Sequence, residues 1–69
     1  MTELIFIVEE APEGGYTAQA VGQDIFTEAD TREELVAAVR DAVLCHFDRP
    51  EEAPKFVRLH HVKDELVPL

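Results

Sequence analysis

Glu3-Leu4-Ile5-Phe6-Ile7-Val8-Glu9 is the stretch that decides the fold: five apolar residues held between two acids. The run is too short for an ordinary helix and is rich in β-branched side chains, so it reads as a strand. Successive side chains on a strand point to opposite faces. Here both sets are apolar, with Leu4, Phe6 and Val8 on one face and Ile5 and Ile7 on the other. A strand apolar on both faces belongs in the middle of a sheet.

Outward from this strand, Glu10-Ala11-Pro12-Glu13-Gly14-Gly15 holds turn chemistry. Pro12 pre-sets φ for a turn, and either glycine can take positive φ. Tyr16 to Val21 then alternates, Tyr16, Ala18 and Ala20 against Thr17 and Gln19, and predicts a half-buried second strand. Gly22-Gln23-Asp24 turns the chain again, and Ile25 to Ala29 predicts a third. Connections this short join antiparallel neighbours, so the three strands form a meander.

Thr31-Arg32-Glu33-Glu34 fits a capping box, with Thr31 at the N-cap and Glu34 at N3. Asp30, Glu33 and Glu34 place negative charge at the positive end of the helix dipole. Leu35, Ala38, Val39, Ala42, Val43, His46 and Phe47 follow at spacings of three and four and share one face. Pro50 disfavours helical geometry at Arg49 and ends the run. Pro50 to Pro54 reads as a loop and Phe56 to Val62 as a fourth strand. Lys63-Asp64-Glu65 reads as a turn, and Leu66 to Leu69 as a frayed tail or a short edge strand. The element order is β-β-β-α-β, an α+β fold.

The helix returns the chain to the starting end of the sheet, so the fourth strand runs parallel to the first. A right-handed crossover sets it beside that strand, giving the spatial order 3-2-1-4 with the helix on one face. One helix cannot cover both apolar sets of the first strand. The other face therefore needs a partner, and a homodimer or higher homo-oligomer is the expected solution.

The chain has 69 residues, room for a single domain spanning 1–69. A domain this small buries only about 60% of its unfolded surface, which adds to the case for oligomerisation. Fifteen acids against six bases leave a net charge of −9. That balance argues against a nucleic-acid surface, which needs clustered Lys and Arg. No apolar run approaches the roughly 18 residues of a membrane span. One cysteine and no export signal before the first strand point to a cytoplasmic protein without disulfides.

Little in the sequence speaks for catalysis. Cys45-His46 are adjacent on the helix and project about 100° apart, while His60 and His61 face opposite sides of a strand. Neither pair has metal-ligand spacing, and the bland assignment is a small apolar Cys45 and a partly buried His46. A two-metal nuclease needs several acids converging at one point, and Phe56 to Val62 carries none. Gly14-Gly15 precedes a strand and not a helix, so it is a hairpin turn and not a phosphate loop. No cofactor and no metal are expected.

Charge is distributed unevenly. Residues 1–31 contain seven acids and no Lys or Arg, while residues 32–69 hold eight acids and all six bases. Acidity of this kind serves solubility in many proteins; the functional alternative is an acidic surface for a basic protein. Its candidate partner-binding residues are Glu9, Glu10, Glu13, Asp24 and Glu28.

The turn Glu13-Gly14-Gly15-Tyr16 followed by Asp30-Thr31-Arg32-Glu33-Glu34-Leu35 resembles the HicB-like antitoxin domain family. That family shows a D-G-G-Y or E-G-G-Y turn and a T-x-E-E-A helix start, and the likeness covers roughly residues 3–62. It implies a partial ribonuclease-H-like fold without nuclease activity, in an antitoxin that masks a small basic mRNA-cleaving toxin. Two features depart from the family pattern. Its P-x-L-P-G-C-x-T-x-G stretch is replaced by Val21 to Ala29, and its C-terminal DNA-binding segment is absent. The resemblance therefore implies a solitary, non-catalytic toxin-binding domain; the alternative is a small structural or regulatory homo-oligomer.

Overall fold

A computed structural model describes residues 2–69. The apolar run becomes the centre of strand β1 (Glu3–Glu10), followed by β2 (Tyr16–Ala20), β3 (Phe26–Ala29), helix α1 (Arg32–His46), a 3-10 turn at Pro50–Glu52 and β4 (Phe56–Val62). The sheet order is β3-β2-β1-β4, with β1 antiparallel to β2 and parallel to β4. The two-sided apolar strand is central, as its sequence requires.

Parity along β1 divides the core from the open face. Leu4, Phe6 and Val8 are buried under α1, together with Ala18 and Ala20 of β2 and Leu35, Val39 and Val43 of the helix. The alanines of β2 let the helix come close, and α1 rests chiefly over β2 and β3. Ile25 is buried although the third strand begins at Phe26, one residue later than the predicted Ile25. Its carbonyl accepts a hydrogen bond from the Ala20 N–H at 2.9 Å, so it closes the core from a turn. Val21 likewise falls outside β2.

The capping box forms in part. The Glu34 N–H donates to Thr31 Oγ1 at 3.1 Å, the bond expected of an N-cap threonine. The Glu34 carboxylate, however, accepts from the Thr31 hydroxyl at 3.1 Å and does not reach back to its backbone N–H. At the other end, His46 corrects its expected burial: it is exposed, as is Cys45. The three-and-four periodicity outruns the sheet, and Phe47, the C-cap, takes the last packing position. His46 Nε2 instead meets Gln23 Oε1 at 3.2 Å and sets its ring edge-on to Phe47.

The hairpin between β1 and β2 is tied by the Gly14 N–H to the Ala11 carbonyl and the Ala11 N–H to the Gly15 carbonyl, both 3.0 Å. Gly15 has φ +84°, and a Cβ there would stand 2.9 Å from the Ala29 carbonyl oxygen. Only glycine lets this turn lie against the end of β3. Residues 63–69 carry no secondary structure, so neither the turn nor an edge strand forms in the tail.

Candidate functional site

The expected partner-binding acids fall at two opposite ends of the sheet. Register across the sheet puts Glu9 beside Thr17 and Thr17 beside Glu28, so Glu9 and Glu28 share a row on the face away from the helix. Glu10 ends β1 opposite Tyr16, and Glu13 tips the adjoining turn. These four lie at one end of the sheet. Asp24 does not join them: it sits in the β2–β3 turn at the opposite end, because the strands between run the sheet's full length. All five are exposed.

Two acids that the sequence assigns to the helix start complete the arrangement. Asp30 and Glu34 line a groove of about 550 Å³ together with Glu13 and Glu28. Its apolar part comes from Ala11, Ala29 and Ala38, and the half-buried Tyr16 lies on its wall. No Lys, Arg or His lines it. Local chemistry explains how four carboxylates come together. The Gly15 approach brings the hairpin against Ala29, and the Thr31 cap turns the chain sharply from β3 into α1. Glu13 and Glu28 are among the expected partner-binding acids; Asp30 and Glu34 are not, because their placement at the helix start already explains them.

The face away from the helix has a different character. Its rows read Phe26-Gln19-Ile7-His60 and Glu28-Thr17-Glu9-Val62, with Ile5 beside Arg58 and Glu3 beside Phe56. Arg58 grips Glu3 with two hydrogen bonds, Nε to Oε2 at 2.8 Å and Nη2 to Oε1 at 2.9 Å. The guanidinium hydrogen bond holds the Glu3 carboxyl below the usual carboxylate range, and the carboxylate in turn raises Arg58. Among the described residues, no three Asp, Glu, His or Cys side chains are grouped to share a metal ion, and no helix is long and apolar enough to cross a membrane.

A UPF0150 protein of Thermotoga maritima is 48% identical over 62 residues, covering 90% of this chain and 86% of the relative. The chain belongs to the UPF0150 family. A second UPF0150 protein, from Archaeoglobus fulgidus, is 54% identical over 48 residues, 70% of this chain and 71% of the relative. No family model matches, and no solved structure matches.

Proposed function

We propose that this UPF0150 domain is a non-catalytic protein-binding module of the cytoplasm, resembling a HicB-like antitoxin, whose acidic groove takes a small basic protein. The observation that carries this reading is the groove itself, four carboxylates with no cation among its lining residues. Such a surface attracts a basic partner through long-range charge and repels nucleic acid. Glu9 and Glu10 extend the same field over the adjoining end of the sheet.

The test is co-purification from the native cell extract at low salt, followed by a high-salt wash. A basic protein is expected to be retained near 0.01 M salt and released as the Debye length shrinks from about 30 Å to about 8 Å at 0.15 M. Glu13→Lys with Glu28→Lys is expected to abolish capture while leaving the circular dichroism spectrum unchanged, since both side chains are exposed. Recovery of nucleic acid in its place, or of no basic protein, would overturn the proposal.

A second reading is self-association, in a structural or regulatory homo-oligomer. Its support is the uncovered apolar surface, where Val21, Phe26 and Phe56 are more than half exposed on a small domain. Sedimentation equilibrium across a concentration series decides it.

A further inference from the structure

On the other flank of α1 from the acidic groove, the helix and β4 diverge and leave an apolar groove of about 360 Å³. Val36 and Leu44 form its helix wall, Val57 and Leu59 form its strand wall, and Phe56 at the start of β4 borders its end. Leu44 is 68% exposed, so the groove lacks a lid. Its volume lies at the lower end of ligand-sized cavities, about 300–1,000 Å³. Two cations, Arg40 and Lys55, stand on it. Neither is in a salt bridge with any other described residue, whereas Arg49 and Arg58 are both paired.

The complement to this groove is in the same chain. Asp64 and Glu65 lead into Leu66-Val67-Pro68-Leu69, an acidic-then-apolar arm whose leucines are fully exposed. The arm leaves from Val62, whereas Phe56 and Val57 of the groove mark the far end of β4, six residues and roughly 20 Å away. It continues outward and does not fold back. The molecule measures 51 × 20 × 17 Å, and its radius of gyration is 13.4 Å where a compact chain of this length has about 11 Å.

We propose that residues 63–69 of one copy dock into the α1–β4 groove of a second copy, and reciprocally, to make a closed two-fold dimer. Leu66, Val67 and Leu69 fill the apolar channel, and Asp64 and Glu65 meet Lys55 and Arg40. Reciprocal exchange closes the assembly at two chains, since each arm and each groove is used once. The inference rests on the self-association reading and gives it a specific contact. It is independent of the acidic groove.

Charge exchange in the full chain tests it. Arg40→Glu/Lys55→Glu makes groove and arm both acidic; Asp64→Lys/Glu65→Lys makes both basic. All four side chains are exposed, so both variants are expected to fold, with unchanged circular dichroism. Each alone is expected to lose dimerisation by at least about tenfold in sedimentation equilibrium, because like charges now face each other. Mixed together, they are expected to form a heterodimer in which both contacts are restored. A dimer unchanged by either variant and by Leu66→Asp/Val67→Asp would overturn the arm exchange while leaving self-association through the open sheet face. A full chain that is monomeric throughout the series would overturn both. Variants that lose the dimer but fail to restore it on mixing would also overturn the exchange.

Discussion

The two faces of β1 carry nearly the same side chains and meet different fates. Leu4, Phe6 and Val8 are sealed beneath α1, while Ile5 on the reverse is 37% exposed and Ile7 only half-buried. What differs lies in the neighbours. On the covered side Ala18 and Ala20 leave room for a helix to descend, and its Leu35, Val39 and Val43 fill the space. On the open side Thr17, Gln19, His60 and the Glu3–Arg58 pair interrupt the apolar surface. Hydrophobicity of one strand thus makes two candidate cores, and small residues beside it decide which one is built.

The largest expected effect tests that contrast directly. Phe6→Ala should cost about 3–5 kcal/mol in a denaturant titration, because it empties the centre of a closed core. Ile5→Ala, on the face without a layer, should cost well under half as much. Equal losses would mean that the open face is covered in solution. Next comes the anchor of the covering helix. Thr31→Ala removes the hydroxyl that accepts the Glu34 N–H and should cost about 0.5–2 kcal/mol. Arg32→Ala beside it, exposed and not in a salt bridge with any other described residue, should stay within about 0.5 kcal/mol.

The smallest effect belongs to the open face. Glu3 is held below its ordinary pKa by the Arg58 hydrogen bond, so its stabilisation is present above the unfolded value, about 4.3. It fades as pH falls through the folded value. Comparing wild type with Glu3→Gln, the difference in unfolding midpoint should be largest near neutrality and vanish in acid. Added salt should shrink it further, because the pair is solvated. A difference that grows on acidification would overturn this assignment.

Strand order, the parallel β1–β4 pair and the helix start were legible because each follows from local chemistry: a two-sided apolar run, turn lengths and a capping threonine. The covered face was not, since parity along Leu4–Val8 yields two sets without ranking them. Periodicity predicts a partly buried His46 but says nothing about where the sheet beneath a helix ends. Of the candidate acids, Glu9, Glu10, Glu13 and Glu28 gather at one end of the sheet, but Asp24 stands apart. Closeness in sequence is a poor guide once strands reverse. Asp30 and Glu34 are not legible as partner-binding acids for the opposite reason, each already having a sufficient structural role at the helix start.

The pairing of β1 with β4 also sets a clock during synthesis. β1 is made before the other three strands, yet the strand that covers its second edge is made only after the meander and the helix. At about 5–20 residues per second, the stretch from Glu10 to Phe56 takes roughly 2–9 s to translate. Until β4 docks, the β4-facing edge of Ile5-Phe6-Ile7-Val8 has unpaired N–H and C=O groups on an apolar strand, the kind of edge that recruits other chains. Its exposure is governed by the pace of translation rather than by the stability of the finished fold. A pause placed before codon 56 would lengthen the hazard without altering a single residue.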